Sequence, residues 1–350
     1  MSAGSAPTTV RTSDFDYQLP PELIAQDPAA VRGDSRLLVV RREPGAAFED
    51  RMFSDLAGLV PPGDLLVLNT TRVRHARFIG TRLSGASAEV LLLHPSTGDK
   101  WLAIGKPGSA LRPGKRIQIG PAAFIETVAV LPEGTREVRF VGIEAEAAIP
   151  AFGRLPLPPY IAREPTARDE DRYQTVYAER AGSVAAPTAG LHFTRPLLAS
   201  LEARGVRVAG LDLEVGPGTF KPVEVDDPSS HPMHPETFEI PASTEAAIDE
   251  LRGRGGSLWA VGTTVVRALE SAATGGGRVR AGRDSTRLLI SPGHEFRVVD
   301  RLLTNFHLPR STLLMLVAAF AGRDRVLAAY RHAIAAGYRF YSYGDAMVIL

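Results

Sequence analysis

The sequence predicts a mixed-sheet α/β domain, formed by N- and C-terminal segments, with a small β-barrel domain inserted between them. Three observations support this fold. Helix and strand patterns alternate from about residue 196 to the end of the chain. Short strand patterns separated by Gly and Pro fill residues 77–142, without a helical period of useful length. An apolar strand pattern at residues 64–69 precedes them, so both flanks are expected to share one sheet.

The first twelve residues are small and polar, without a charged start followed by an apolar stretch. We therefore expect a disordered tail at residues 1–12 and no signal peptide. Residues 13–74 and 151–350 are assigned to the α/β catalytic domain, and residues 75–150 to the inserted barrel. The longest apolar run, residues 313–320, is far shorter than the ~18 residues that span a bilayer, and it predicts a buried helix.

The barrel strands are predicted from short apolar runs that turn residues separate. We expect them at residues 77–83, 89–94, 101–104, 115–119, 124–130 and 137–141.

In the C-terminal segment, a helix pattern begins at Pro196, where a missing N–H costs little, and Gly205 closes it. The remaining elements follow from alternating periods. We expect strands at residues 206–215, 257–261 and 338–343, and helices at residues 244–252, 264–273, 312–321 and 325–336.

Composition excludes several classes of site. The chain of 350 residues contains no cysteine, which removes disulfides, zinc–thiolate sites, iron–sulfur clusters and cysteine nucleophiles. A net charge of +1 gives no overall indication of nucleic-acid binding, so any such contact requires a local patch. The usual dinucleotide motif Gly-x-Gly-x-x-Gly is missing after the predicted strands.

Residues 231–236 contain two histidines and a glutamate, His231, His234 and Glu236. Two prolines prevent a helix there, and the sequence leaves three interpretations open. The loop is a metal site, an acid–base cluster that titrates near neutrality, or a polar loop that caps backbone groups.

Glycine-rich and strand-end segments supply further candidates. Residues 182–193 are nearly all small, which suits close approach to a ligand or tight packing. Residues 216–220 cradle an anion or form a turn. In residues 260–267, Gly262 precedes a predicted helix. The start of this helix either binds an anion or is an ordinary capped helix without a ligand. In residues 304–312, Asn305 and His307 stand at a strand end where ligands bind, while Phe306 stacks on a base or fills the core.

Taken together and in order, these motifs resemble the S-adenosylmethionine:tRNA ribosyltransferase-isomerase family of queuosine biosynthesis. The similar segments span nearly the whole chain beyond the tail. They are residues 14–20, 35–38, 63–73, 155–161, 172–177, 182–193, 216–220, 231–236, 261–271, 304–320 and 338–347.

The resemblance implies transfer and isomerisation of the ribosyl group of S-adenosylmethionine onto 7-aminomethyl-7-deazaguanine at the tRNA wobble position. The products are epoxyqueuosine in tRNA, adenine and methionine. S-adenosylmethionine is then a co-substrate, no metal or permanently bound cofactor is expected, and the partner is tRNA carrying the modified guanine. We expect a cytoplasmic, monomeric protein without membrane contact.

The chemistry needs a base for a C5′ proton beside the sulfonium and an acid for adenine. Candidates for these roles are His192, His231, His234, Glu236, His307 and Asp345. Residues expected to bind substrate are Thr188, Gly190, Glu214, Gly216, Gly218, Thr219, Gly262, Thr263, Thr264, Arg267, Asn305, Phe306, Tyr160 and Arg172.

One position departs from the family pattern, because Glu214 stands where the family usually has histidine. This keeps a second hypothesis open, an S-adenosylmethionine-using enzyme of the same fold with a small-molecule acceptor. A third is a tRNA-binding module without activity. Adenine release in the presence of modified tRNA discriminates between them.

Overall fold

The computed structural model describes residues 10–132, 134–216 and 222–350. Within these ranges the strands are β1 Arg36–Val40, β2 Glu49–Met52, β3 Leu65–Asn69, β4 Arg72–Val73, β5 Arg77–Arg82, β6 Ser87–Pro95, β7 Lys100–Lys106, β8 Arg116–Gly120, β9 Ala123–Val130, β10 Arg136–Val141, β11 Ala181–Ser183, β12 Arg207–Leu213, β13 Glu236–Ile240, β14 Leu258–Val261, β15 Ala273–Gly275, β16 Arg278–Val279, β17 Gly282–Thr286, β18 Arg301–Asn305 and β19 Ala346–Ile349. The α-helices are α1 Leu56–Leu59, α2 Ala145–Phe152, α3 Ala167–Arg172, α4 Arg195–Ala203, α5 Ala242–Arg254, α6 Thr263–Ser271, α7 Thr312–Ala321 and α8 Arg323–Ala335.

The largest sheet has the strand order β17-β13-β12-β3-β14-β18-β19-β1-β2. Its central strands β12, β3, β14 and β18 are mutually parallel, whereas β19 pairs antiparallel with β18. Strands from before and after the barrel therefore share one sheet, which confirms the predicted mixed α/β class.

Apolar residues alternate between the two faces of this sheet. In β3, Leu65 and Val67 belong to one buried cluster, which also includes side chains of α6, α7 and α8. Leu66 and Leu68 belong to a second cluster, which includes Leu201 of α4. This period of two follows from the pleat of a strand, and it explains why the central strands are apolar throughout.

Strands β10-β7-β6-β5-β8-β9 close into a barrel. Phe78, Val90, Ile117, Ile125 and Val138 lie in a separate apolar cluster whose members all come from residues 76–152. The six predicted strands match these elements to within a few residues.

The predicted final strand at residues 338–343 is wrong, since the last strand of the structure is β19. Tyr341 has a φ of +71°, a left-handed backbone that interrupts a strand. Tyr338 and Phe340 are nevertheless fully buried, because their rings pack against Phe306. Buried aromatic residues at alternate positions are also typical of a strand, and this is why the sequence pattern predicted one here. Residues 338–345 instead form a loop beside the carboxyl edge of the sheet.

The structure describes no helix that is long and apolar enough to cross a membrane.

Candidate active site

An open cavity lies at the carboxyl edge of the parallel strands. β14 ends at Val261 and β18 at Asn305, and the chain that leaves each strand forms part of the wall. Ligands bind at this edge in open α/β sheets. We call it the first cavity, and its lining residues are Tyr160, Ala186, Pro187, Thr188, Ala189, Val215, Gly262, Thr263, Thr264, Thr304, Asn305, Phe306, His307, Leu308, Leu313, Tyr341 and Ser342.

The start of α6 forms one side of the first cavity. Gly262 connects β14 to this helix with a φ of +96°, a conformation that a side chain would strain. Thr263 and Thr264 follow as the first helical residues and line the cavity. N–H groups of a first helical turn have no acceptor within the helix, so this side suits an anionic or carbonyl group of a ligand.

His307 is buried in the wall that follows β18. Its Nε2 lies 2.7 Å from Oγ1 of Thr304, and its backbone N–H donates to the hydroxyl of Tyr330 at 2.9 Å. Burial lowers the pKa of His307 to about 3, so the imidazole is neutral at neutral pH. A neutral ring is able to accept a proton, which a protonated ring is not.

His192 is buried behind the first cavity and stacks on Phe53, with ring centroids 5.0 Å apart. Its Nδ1 lies 2.7 Å from the hydroxyl of Ser35. Burial lowers the pKa of His192 to about 4, while nearby Asn305 opposes that shift. Nε2 of His192 and Oδ1 of Asn305 nevertheless complete no hydrogen bond with the described residues. These two buried polar atoms lie near each other, and the described part of the chain supplies neither with a well-formed hydrogen bond.

The loop at residues 338–344 holds the side chain of Asn305 in place. The side-chain amide of Asn305 donates to the carbonyl of Tyr341 at 3.0 Å, and the Tyr341 ring lies 4.7 Å from that of Tyr160. The hydroxyls of Tyr160 and Ser342 are 2.6 Å apart. A non-glycine residue with positive φ, such as Tyr341, carries strain of ~1–3 kcal/mol, which is common at ligand sites.

A second open cavity adjoins the first, and Ser342 lines both. It lies between the loop after residue 27, the end of α3 and the loop at residues 338–344. Its lining residues are Pro28, Ala29, Gly33, Ser35, Arg172, Leu191, His192, Arg339, Ser342, Tyr343 and Gly344.

Of the twenty residues predicted from the sequence, the structure describes eighteen, and ten of these line one of the two cavities. The first cavity brings together Tyr160, Thr188, Gly262, Thr263, Thr264, Asn305, Phe306 and His307. The second brings together Arg172 and His192. Phe306 is fully buried, and its ring packs on Tyr330 and Phe340, so it fills the core and does not present a face for stacking on a base.

Asp345 does not have the environment expected of a catalytic acid. Its carboxylate accepts hydrogen bonds from the backbone N–H of Arg36 at 2.9 Å and of Arg339 at 2.8 Å. It lines neither cavity. Asp345 therefore ties the loop at residues 338–344 to β1. Gly190 also has a packing role, because a side chain there would collide with the hydroxyl of Tyr177.

Glu236 and Arg267 form a buried ion pair, and neither residue lines a cavity. Nε of Arg267 donates to the carbonyl of Leu288 at 3.0 Å, and the backbone N–H of Gly216 donates to Glu236 at 3.4 Å. Arg267 was expected to bind an anionic end of a substrate, and Glu236 to take part in acid–base chemistry. Their mutual pairing instead neutralises both charges next to Gly216.

The two histidines before Glu236 lie outside the cavities as well. His234 is exposed and His231 is half-buried, and burial together with His234 lowers the pKa of His231. No group of three or more potential metal-ligating His, Cys, Asp or Glu side chains occurs among residues 10–132, 134–216 and 222–350. This geometry gives no support to a metal site or an acid–base cluster at residues 231–236.

Glu214 points away from the first cavity, although its neighbour Val215 lines it. Its carboxylate lies 3.8 Å from a guanidinium nitrogen of Arg283, and its Cγ covers Gly182. Burial lowers the pKa of Arg74, and the nearby Glu214 carboxylate opposes that shift. The predicted contact of Glu214 with substrate therefore has no counterpart in the described structure. Two other predicted binding residues, Gly218 and Thr219, lie outside the described residues.

Sequence reasoning missed Ser35, Tyr341, Ser342 and Arg339, which line a cavity or hold a lining group. Ser35 and the loop at residues 338–344 lie in segments that carry the family resemblance, which was the available signal. The pattern of residues 338–343 predicts a strand and carries no sign that these side chains line a cavity.

Comparison with known proteins was consistent over nearly the whole chain. The sequence profile of the family described as "Queuosine biosynthesis protein" matches residues 12–349. An S-adenosylmethionine:tRNA ribosyltransferase-isomerase of Anaeromyxobacter sp. (strain Fw109-5) is 53% identical over 346 residues, which cover 97% of this chain and 99% of that protein. The protein of the same name from Symbiobacterium thermophilum is 50% identical over 345 residues, covering 97% and 100%. The crystal structure of S-adenosylmethionine tRNA ribosyltransferase from Thermotoga maritima is 37% identical, covers 97% of this chain and 100% of its own, and has a TM-score of 0.56.

Proposed function

Because this chain belongs to the queuosine biosynthesis protein family, we propose that it is an S-adenosylmethionine:tRNA ribosyltransferase-isomerase. It transfers and isomerises the ribosyl group of S-adenosylmethionine onto 7-aminomethyl-7-deazaguanine at the tRNA wobble position. Epoxyqueuosine in tRNA, adenine and methionine are the products. S-adenosylmethionine is consumed as a co-substrate, and the reaction uses no metal.

The first cavity supports this proposal most strongly. Tyr160, Thr188, Gly262 and Asn305 come from four separate segments that carry the family resemblance, and they meet at one edge of the sheet. We place S-adenosylmethionine in this cavity. The rings of Tyr160 and Tyr341 offer aromatic faces that attract a cationic sulfonium.

The two buried imidazoles are our candidates for proton transfer. No carboxylate occurs among the described residues that line either cavity, so a neutral group must take the proton from C5′. His192 and His307 are neutral at neutral pH because burial lowers the pKa of each. His307 borders the first cavity directly, and we assign it the role of proton acceptor. We assign His192 a hydrogen bond to the substrate through Nε2, next to Oδ1 of Asn305.

The remaining features of the protein are proposed on the same basis. Residues 75–150 form an inserted barrel domain, with its own apolar cluster, within the α/β catalytic domain of residues 13–74 and 151–350. We place the protein in the cytoplasm, where tRNA is modified, and expect a monomer.

The direct test is to incubate the enzyme with S-adenosylmethionine and tRNA that carries 7-aminomethyl-7-deazaguanine. Adenine is quantified, and the nucleosides of the digested tRNA are weighed by mass spectrometry. We expect one adenine released per modified nucleoside formed. tRNA with unmodified guanine at the wobble position is the matched control and should release none. Adenine release that is independent of any tRNA would contradict the proposal and indicate a small-molecule acceptor.

A small-molecule acceptor has no structural observation in its favour. The argument for it was the glutamate at position 214, and Glu214 lies outside both cavities. A tRNA-binding module without activity would bind tRNA in the same assay but release no adenine.

A further inference from the structure

We propose that the second cavity binds a phosphate group of the RNA substrate, held by the guanidinium groups of Arg172 and Arg339. The inference rests on the proposed function, because it assumes an RNA substrate. It adds a binding site for the sugar–phosphate backbone, separate from the first cavity in which S-adenosylmethionine is placed.

Both guanidinium groups are positioned by backbone carbonyls and not by carboxylates. Nη1 of Arg172 donates to the carbonyl of Ala29 at 2.8 Å, and Nη1 of Arg339 donates to the carbonyl of Asp27 at 3.1 Å. Within the described ranges neither arginine has a carboxylate within salt-bridge distance, and both line the second cavity. Each guanidinium group is thus held through its Nη1, and its other N–H groups remain available to an anion.

A third arginine adds to this positive charge. Arg168, on the exposed side of α3, donates to the carbonyls of Ala29 and Ala30 at 2.9 and 2.8 Å. Its side chain has no carboxylate partner among the described residues either. The same short segment of backbone therefore holds Arg168 and Arg172 next to each other.

The acidic groups nearby are occupied by other arginines. Asp171 pairs with Arg32 at 3.3 Å, while Arg163 pairs with Asp169 at 2.7 Å and with Asp27 at 3.0 Å. Of the other neighbouring acids, Glu170 lies 2.7 Å from His75, and Asp34 is exposed. In the described part of the chain no carboxylate lies within salt-bridge distance of Arg168, Arg172 or Arg339, and Asp171 offsets the positive charge around Arg172 only in part.

The surplus charge is felt inside the second cavity. Burial is the largest cause of the lowered pKa of His192, and Asn305 opposes it. The positive charges of Arg339, Arg32 and Arg172 lower this pKa further. Burial is also the largest cause of the lowered pKa of Arg172, and the charges of Arg32 and Arg168 add to it. An anion would relieve the repulsion among these positively charged side chains. The effect is strongest for an anion that contacts several guanidinium groups at once.

A phosphate fits this site better than a carboxylate does. Three guanidinium groups without a salt bridge to the described residues, two of them in the second cavity and Arg168 beside it, exceed what a single carboxylate can neutralise, whereas an RNA backbone presents successive phosphates along the arginines. The two cavities share Ser342, and His192 in the second faces Asn305 in the first. A phosphate in the second cavity would therefore belong to the RNA next to the nucleotide that enters the first.

The test measures how the affinity for precursor-modified tRNA depends on salt in Arg172→Gln, Arg339→Gln and Arg168→Gln enzymes. The matched control is Arg204→Gln, since exposed Arg204 lies before β12, at the edge of the sheet where that strand begins, and its side chain makes no hydrogen bond or ion pair with the described residues. Between about 50 and 200 mM salt, each lost phosphate contact lowers the slope of log Kd against log salt by ~0.7. We expect this decrease and about tenfold weaker binding for Arg172→Gln and Arg339→Gln. Arg204→Gln should match the parent.

Three outcomes separate the possibilities. A parental affinity and slope in Arg172→Gln and Arg339→Gln would overturn the inference. Weaker binding of S-adenosylmethionine with an unchanged tRNA slope would also overturn it, because the site would then hold the carboxylate of the co-substrate. Absence of tRNA-dependent adenine release by the parent enzyme would reject the proposed function instead. Thermal unfolding identifies a variant that fails to fold. In that case the exposed Arg168→Gln variant is used instead, and we expect the same decrease in the slope of log Kd against log salt.

Discussion

The hydroxyl of Ser35 lies 2.7 Å from Nδ1 of His192, and both residues are buried at the junction of the two cavities. Ser35 directly precedes β1, whereas His192 ends a short 3-10 helix, Thr188–His192. The bond leaves Nε2 of His192 facing Asn305 and orients the ring without adding a charge. A serine that sequence reasoning missed is thus a positioning residue for the proposed site.

We expect Ser35→Ala to lower turnover about tenfold or more. The substitution leaves Nδ1 buried without its partner, at a cost of ~1–3 kcal/mol, and releases the ring from its orientation. The measurement is adenine release at saturating S-adenosylmethionine, together with thermal unfolding. Ser35→Thr keeps the hydroxyl and should recover part of the turnover, whereas the exposed Ser200→Ala is a neutral control. A Ser35→Ala enzyme with parental turnover would show that this bond has no functional role.

Stability should fall as the pH is lowered below about 6.5. Burial lowers the pKa of His307 to about 3 and of His192 to about 4, so between these values and the unfolded pKa only the unfolded chain binds the protons. Each histidine then removes up to ~1.4 kcal/mol of stability per pH unit. Denaturant unfolding from neutral pH to pH ~4.5 measures the slope.

His307→Gln should reduce that slope, because one of the two buried groups no longer titrates. Exposed His94 provides the matched control, and His94→Gln should keep the parental slope. Equal slopes for His307→Gln and the parent would mean that His307 is protonated as readily in the folded protein as in the unfolded chain.

Asp345→Asn is expected to weaken folding more than catalysis. An amide cannot accept from both backbone N–H groups that the carboxylate binds, those of Arg36 and Arg339, and one is left without its partner. We expect a loss of ~1–3 kcal/mol in the free energy of unfolding. Turnover per folded molecule and the affinity for S-adenosylmethionine should stay within about threefold of the parent, which corresponds to less than ~1 kcal/mol. A loss of turnover by orders of magnitude in stably folded protein would restore Asp345 as a candidate acid.

Glu214→His and Glu214→Gln should both retain the pH profile of turnover. This expectation reverses the one drawn from the family pattern, because Glu214 faces Arg283 and Gly182 instead of the first cavity. The experiment compares rates of adenine release across pH for both variants and the parent. A profile displaced in Glu214→His alone would place position 214 in contact with the reacting groups.

Local patterns in the sequence determined the order of elements and the fold class. β3 and β14 were predicted as apolar strands, and α7 as an apolar helix, because a buried strand or helix must present apolar side chains at a fixed period. The barrel strands were predicted for the same reason. The family resemblance also indicated which segments hold the site, and those at residues 262–264 and 304–307 do line the first cavity.

Only the tertiary structure decided which candidates meet. Glu236 and Asp345 are carboxylates in segments that carry the family resemblance, yet one pairs with Arg267 and the other binds two backbone N–H groups. Whether a carboxylate is available for chemistry depends on partners that are distant in the chain. The left-handed turn at Tyr341 likewise converted an apparent strand into the loop beside both cavities. Sequence periodicity shows which side chains are buried. The direction of a side chain at a strand end depends instead on packing against segments that are distant in the chain, and local periodicity carries no information about those segments.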